Sequence, residues 1–161
     1  MSDISILERD ARRFLASART ATLATTGPNG RPRLVPICFV ARIGEPGAAP
    51  RLYSPLDDKP KTGTDPHDLA RVRDLSMRPE ATLLVDRWSE DWAELGWLRL
   101  EGRAELLEPE PAERAAPSER VLVIDALRAK YPQYMTHRLE ERPILRFTIE
   151  RAVAWGNLEP A

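Results

Sequence analysis

Two of the chain's three lysines, Lys59 and Lys61, lie in one tripeptide with a proline between them. The proline stiffens the backbone, so both ammonium groups can face one anion. The loop follows a predicted strand and precedes a predicted helix start at Pro66, where free backbone N–H groups add partial positive charge. This pattern indicates a site for a phosphate or a polycarboxylate. The alternative is a solvated loop whose lysines pair with Asp57 and Asp58.

Two further basic residues follow on the next predicted helix. Arg71 and Arg73 would extend the positive region if the helix packs beside the lysine loop. An ordinary polar helix face explains the same residues.

Three tryptophans, Trp88, Trp92 and Trp97, lie within ten residues, and acidic residues stand between them. Tryptophans in such surroundings stack on a flat ligand or cover a subunit contact. Structural packing is the alternative. Trp97 alternates with Arg99, which places it on the more polar face of its strand.

Common catalytic and metal-binding motifs do not occur in the sequence. It has no glycine-rich dinucleotide loop, no Walker-type loop, no His-Glu-x-x-His and no nucleophile elbow. With one cysteine and two histidines, a Cys/His zinc site is excluded, and we predict no metal site. Cys38 lies in a strand pattern, where it either fills the core or lines a ligand pocket.

Composition limits the class of protein. The chain has 161 residues, 42% of them hydrophobic, and a formal charge of -1, so we expect one domain over residues 1–161. Balanced charge argues against a nucleic-acid partner. No apolar run is long enough for a membrane span, and no signal peptide is visible. We therefore expect a soluble, cytoplasmic protein.

The predicted elements follow the order α-βββ-α-ββ-α-β. A turn at residues 27–30 joins two strands into a hairpin, and prolines at positions 32 and 36 predict that the second strand lies at an edge or has an interrupted ladder. This order predicts a mainly β (α+β) fold, a small antiparallel barrel or curved sheet with helices outside. Helices are predicted at residues 4–18, 67–77 and 118–130, and strands at 20–26, 31–41, 51–54, 81–86, 95–107 and 144–154.

Several of these segments resemble a known family. The stretch from Gly30 to Phe39 is similar to the Gly-x-Pro-x-x-x-Pro-x-x-Phe hairpin of the pyridoxamine-phosphate-oxidase-like split β-barrel flavoproteins. Other stretches resemble the actinobacterial subgroup that uses the deazaflavin coenzyme F420, namely residues 52–61, 78–86, 91–102, 130–134 and 154–155. The resemblance implies a six-stranded split β-barrel with flanking helices, of the FMN-binding type. It also implies a homodimer with cofactor sites shared between subunits.

The resemblance further implies an F420-dependent oxidoreductase that transfers a hydride to an electron-poor small molecule. An FMN enzyme of the same barrel and a non-catalytic deazaflavin carrier are the alternatives. Cofactor-binding positions carried over are Arg33, Pro36, Ile37 and Cys38 along the ring, Ser54 near the ring or ribityl chain, Lys59, Lys61 and Arg71 at the phosphate and tail, and Trp92 at the cofactor edge.

No catalytic acid or base is assigned. Tyr53, Arg99 or solvent are candidates for delivering a proton. The sequence departs from the family pattern at two positions. Asp74 stands where relatives have a neutral amide, so it is expected either to point away from the phosphate or to be misaligned. Gly96 stands where a tryptophan is expected, which predicts a wider substrate space.

Overall fold

The computed structural model describes residues 7, 9–56, 65–111 and 117–159. In these residues, one antiparallel sheet of seven strands is accompanied by three α-helices. The strands are β1 (Ala21–Thr26), β2 (Pro32–Ile37), β3 (Val40–Arg42), β4 (Arg51–Pro55), β5 (Glu80–Arg87), β6 (Gly96–Leu107) and β7 (Ile144–Gly156). The helices are α1 (Arg9–Ser17), α2 (Ala70–Met77) and α3 (Glu119–Lys130).

The sheet has the strand order β2-β1-β5-β6-β7-β4-β3. Its two edges, β2 and β3, are consecutive in the chain and are separated by Cys38 and Phe39 alone. The sheet must therefore curl until its edges meet at this connection. Among the described strands no ladder joins β2 to β3, so the curled sheet is not closed by strand pairing there.

The expectation of six strands was wrong by one, because the predicted strand 31–41 is two strands. The interruption has a physical cause in Tyr131. The Phe39 N–H donates to the Tyr131 hydroxyl at 3.0 Å, and the Phe39 carbonyl oxygen lies 2.9 Å from the same hydroxyl. A side chain from beyond α3 thus replaces the strand partner that Phe39 would otherwise need.

Several local predictions are confirmed. Pro32 and Pro36 lie on β2, which pairs with β1 on one side and forms an edge of the sheet. The Ser118 hydroxyl accepts a hydrogen bond from the Val121 N–H at the start of α3. Asp65 caps a short 3-10 helix at Pro66. The predicted helix 67–77 is divided at Leu69, where extended backbone separates that 3-10 helix from α2.

Buried and more exposed residues alternate along the central strands, and the buried ones form the core. The inward residues of the central strands are buried together with apolar residues of α1, which include Phe14 and Leu15. A second cluster lies under α3, where Val123 and Leu127 pack against Tyr131 and Tyr134. None of the helices in the described ranges is long and apolar enough to cross a bilayer.

Two charged residues hold α3 on the sheet. Arg120 is buried and donates to the carbonyl oxygens of Leu107 and Leu139, 3.0 and 2.7 Å away. Its neighbour Glu119 accepts from Arg51 at 2.9 Å and from Arg146 at 2.6 Å. Helix α3 is therefore joined to β4, β6 and β7 by hydrogen bonds to charged groups, which are stronger than neutral ones.

Candidate anion-binding site

A depression of about 510 Å³ lies between the turn end of the β1–β2 hairpin and the C-terminal half of α2. Three of its eight lining residues are arginines. The lining residues are Thr26, Gly27, Pro28, Arg33, Arg73, Asp74, Met77 and Arg78. We refer to it as the arginine depression.

The hairpin register and one buried carboxylate place Arg33 in this depression. Arg33 on β2 pairs with Thr25 on β1, so both residues are on the same face of the sheet. The Thr25 hydroxyl donates to Asp74 Oδ2 at 2.9 Å, and Arg33 Nε lies 3.6 Å from the same oxygen. Asp74 is 4% exposed, whereas the Arg33 side chain is 45% exposed. Asp74 therefore fixes the buried end of a guanidinium whose other end reaches solvent.

Gly27 makes room for that guanidinium. A Cβ at position 27 would lie 3.0 Å from Arg33 Nε and 3.3 Å from the Arg31 carbonyl oxygen. Both separations are shorter than ordinary carbon contacts. Glycine at this position therefore lets the Arg33 guanidinium lie directly against the backbone.

The charge of the depression comes from side chains. Three guanidinium groups and one carboxylate leave two net positive charges. Of the residues from α2, Asp74 and Met77 belong to its C-terminal half, where the helix dipole is negative, and Arg73 lies at its middle. The helix start near Pro66 was expected to add positive charge at the lysine loop, and that loop lies outside the described residues. The arrangement suits a multiply charged anion that bridges several arginines.

A second depression, of about 470 Å³, lies on the outward face of β2, β1, β5 and β6. Apolar side chains are exposed there, with Leu34 at 68% and Leu84 at 37%. Trp97 and Arg99 border it, and the Arg99 guanidinium lies 5.9 Å from the centre of the Trp97 ring. We call this surface the outer sheet face. It continues onto β7 through the pairing of Trp97 with Trp155, which is also exposed.

The structure separates the residues predicted to bind a cofactor. Lys59 and Lys61 lie outside the described residues. Arg33 lines the arginine depression. Arg71 is half-buried on α2 and is not among the residues that line it. Arg78 was missed as a candidate, although its place between the helix and the proline that ends it was visible in the sequence.

The remaining predicted residues are spread over the sheet. Pro36 is exposed, and Ile37 points into the core. Cys38 is half-buried and packs against the cluster under α3. Ser54 is buried in β4. Trp92 is 78% exposed in the loop between β5 and β6. One ligand contacting all of them would have to extend along β2 and past its end.

One expectation about departures from the family pattern is corrected, and the other stays a prediction. Asp74 lines the arginine depression and pairs with Arg33, and its position relative to a bound phosphate stays a prediction. Gly96 does not widen a substrate space. A Cβ there would lie 2.0 Å from the Asn157 carbonyl oxygen, so backbone already fills the position.

Tyr53 is not placed to deliver a proton. It is 2% exposed, and its hydroxyl donates to Glu119 at 2.5 Å. Burial, followed by the hydrogen bond to Glu119, raises the pKa of Tyr53 to about 12. Arg99 remains accessible on the outer sheet face.

Comparison with known proteins identifies the family of the chain. The family model described as pyridoxamine 5'-phosphate oxidase matches residues 7–156. The chain belongs to the pyridoxamine 5'-phosphate oxidase family. No curated protein sequence matches the chain.

Solved structures share the fold of this pyridoxamine 5'-phosphate oxidase family member. A conserved hypothetical protein of Mycobacterium tuberculosis is 21% identical, with a TM-score of 0.64 over 97% of this chain and 85% of that one. The heme storage protein HutZ of Vibrio cholerae is 17% identical, with a TM-score of 0.60 over 93% and 94%. General Stress Protein 26 of Bacillus anthracis is 14% identical, with a TM-score of 0.59 over 92% of each chain. These likenesses concern the fold alone.

Proposed function

We propose that the chain binds coenzyme F420 and acts as an oxidoreductase that passes a hydride between the reduced deazaflavin and an electron-poor small molecule. One observation carries this proposal. Three arginines line one depression at the end of an edge strand, in a chain of a family named for a phosphate-containing substrate.

The residues of the arginine depression fit the phosphate of such a cofactor. Arg33, Arg73 and Arg78 would hold the phosphate oxygens, with Arg33 oriented by Asp74. The free edge of β2 leaves backbone groups of Arg33 through Ile37 without a second strand, so they are available to a ring lying along it. Lys59 and Lys61 would receive the acidic tail. When bound, the cofactor supplies the hydride chemistry, and the chain fixes one ring face and limits access of water.

We further propose that the chain forms a homodimer through the outer sheet face. Leu34, Leu84 and Trp155 are exposed apolar side chains on the same sheet. Contiguous apolar surface of this kind commonly marks a protein interface. Three charged residues on the same face are paired with one another, since Arg99 and Arg151 both contact Glu101 at 3.1 Å. A second copy would cover the apolar part without leaving these charges unpaired.

FMN is the second candidate cofactor, and the charge of the depression favours it specifically. FMN carries a phosphate monoester, which is a dianion near neutral pH, and the depression has two net positive charges.

Two solved structures with this fold are named as a heme storage protein and a heme binding protein. Here both ring nitrogens of His67 lie within 2.8 Å of carboxylate oxygens, so His67 is not available as an iron ligand.

The decisive experiment is incubation of the full-length protein with F420, FMN or hemin, followed by gel filtration and an absorbance scan. Co-elution of F420 supports the proposal, and co-elution of FMN alone replaces it with the FMN alternative. Replacing Arg33 and Arg73 with glutamine should weaken binding at least about tenfold, and more at low salt. Arg138→Gln, which removes an exposed guanidinium paired with Glu141, is the matched control.

A second experiment separates an enzyme from a carrier. The reduced complex is mixed in a single turnover with quinone, tetrapyrrole and nitroaromatic acceptors. Oxidation of the bound cofactor at a rate above that of free cofactor identifies an enzyme. No acceleration by any acceptor favours the carrier.

The double variant Lys59→Ala, Lys61→Ala tests the expected site for the acidic tail of the cofactor. Unchanged cofactor affinity in this variant would remove that part of the proposal.

A further inference from the structure

Lys130 ends α3 with its amine packed between three parts of the fold. Its Nζ lies 4.1 Å from the centre of the Phe39 ring and 5.5 Å from that of Tyr131. It donates to the Leu15 carbonyl oxygen at 3.3 Å, at the end of α1. The amine is therefore half-buried against aromatic rings and a neutral acceptor.

The groups around this amine favour loss of its proton. In the described part of the chain, no carboxylate pairs with Nζ. Arg19 lies beside it instead, donating to the Lys130 carbonyl oxygen at 2.7 Å with its guanidinium 4.6 Å from the centre of the Tyr131 ring. Burial, and then the positive charge of Arg19, lower the pKa of Lys130 to about 8. Cys38 and the faces of the aromatic rings favour the protonated amine and so raise the pKa of Lys130. Their effect is smaller than that of burial and Arg19.

We propose that Lys130 is a reactive amine that condenses with small aldehydes. The neutral nitrogen attacks the carbonyl carbon to give a carbinolamine, which loses one water to form an imine. One water is released for each imine formed, and nothing is oxidised or reduced. A desolvated lysine is the kind that forms Schiff bases. Because the amine is half-buried beside Phe39 and Tyr131, the partner that we propose is a small carbonyl compound.

The fraction of neutral amine sets the size of the effect. At pH 7.5, roughly a quarter of Lys130 is neutral, against roughly 0.1% of a lysine with the ordinary pKa of about 10.4. The neutral amine of Lys130 is less basic than that of an ordinary lysine and is partly buried, and both properties lower its rate of attack on a carbonyl carbon. We therefore expect Lys130 to react more than about tenfold faster than an ordinary lysine, rather than about a hundredfold.

The experiment treats the full-length protein with acetaldehyde and sodium cyanoborohydride at pH 7.5, with Nα-acetyl-lysine amide in the same tube as a standard. Peptide mass spectrometry then measures N-ethylation at each lysine. Faster modification of Lys130 than of the standard, lost when the protein is unfolded in guanidinium chloride, supports the proposal. Modification no faster than the standard, absence of modification, or an excess that persists in the unfolded chain overturns it.

A matched pair of variants tests the role of the neighbouring charge. Arg19→Gln removes that charge and keeps a hydrogen-bond donor, so the rate at pH 7.5 should fall about threefold while the pH midpoint of modification rises. Arg31→Gln removes an exposed guanidinium in the hairpin turn and should leave both values unchanged. Equal behaviour of the two variants would overturn the role assigned to Arg19.

Discussion

Replacing Asp74 with asparagine separates two effects of this carboxylate on the arginine depression. Asp74 holds Arg33 in place, which favours anion binding, and its negative charge opposes anion binding. Asparagine keeps the shape and an oxygen that accepts from the Thr25 hydroxyl. It removes the charge and hence the ion pair with Arg33 Nε at 3.6 Å.

The structure indicates that charge repulsion is the larger effect. The Arg33 side chain is 45% exposed, so losing the pair should change the free energy of unfolding by less than about 1 kcal/mol. A phosphate held by the far side of Arg33 would be about 7 Å from the carboxylate. A dianionic phosphate, such as that of FMN, is then repelled by about 1 kcal/mol at the dielectric constant of water, and a phosphate diester with one charge by about half as much. Asp74→Asn should therefore tighten binding of a dianionic phosphate roughly fivefold and that of a diester roughly threefold.

The assay is a fluorescence titration at low salt of whichever cofactor co-elutes with the protein. The phosphate-free form of the same ring system is the control ligand. Asp74→Asn should tighten binding of the phosphate-bearing form alone. Weaker binding at unchanged stability would show that positioning of Arg33 outweighs repulsion. Equal tightening of both ligands would show that the change does not act at the phosphate.

Three further predictions concern the scaffold. Burial alone would raise the pKa of Glu119, but the hydrogen bond from Tyr53 and two arginines bring it below 4.5. Glu119→Gln should therefore cost about 1–3 kcal/mol at pH 7 in urea unfolding, and this difference should shrink as the pH falls below 4.5. Hydrogen bonds to Glu108 and then Asp65 raise the pKa of His67 above 6.5. The melting temperature of wild type should exceed that of His67→Gln at pH 6, and the excess should disappear as the pH rises through the raised pKa. Leu84→Asp should convert a dimer to a monomer in light scattering, while Met77→Asp, which changes an apolar side chain off that face, should not.

Local sequence signals predicted much of the fold because they act over a few residues. The turn at residues 27–30 sets the register that pairs Thr25 with Arg33. Prolines at positions 32 and 36 predicted an edge strand, and Ser118 predicted the start of α3. The prolines act through the backbone geometry that they restrict, and Ser118 acts through a hydrogen bond from a backbone N–H three residues away.

The parts that were missed depend on contacts between distant residues. Phe39 is separated from Tyr131 by 92 positions. Nothing in the sequence around Phe39 indicates that the Tyr131 hydroxyl will interrupt the strand there. The docking of α2 against the hairpin is equally non-local. It brings Asp74 to Thr25, 49 positions away, and makes Asp74 a buried partner of Arg33.

The break at Cys38 and Phe39 and the prolines of β2 act together on the open edge of β2. If residues 31–41 formed a continuous strand, β3 would follow β2 in the same direction and could not pair with β4 on the opposite edge of the sheet. The bonds from Phe39 to Tyr131 let the chain turn there, while the prolines of β2 remove donors that another strand would need. The edge beside the arginine depression is thus kept free of strand partners by the sequence itself. Substituting Tyr131 with phenylalanine should therefore affect cofactor binding as well as stability, although Tyr131 lies outside the arginine depression. Unchanged cofactor affinity in a folded Tyr131→Phe variant would refute this link.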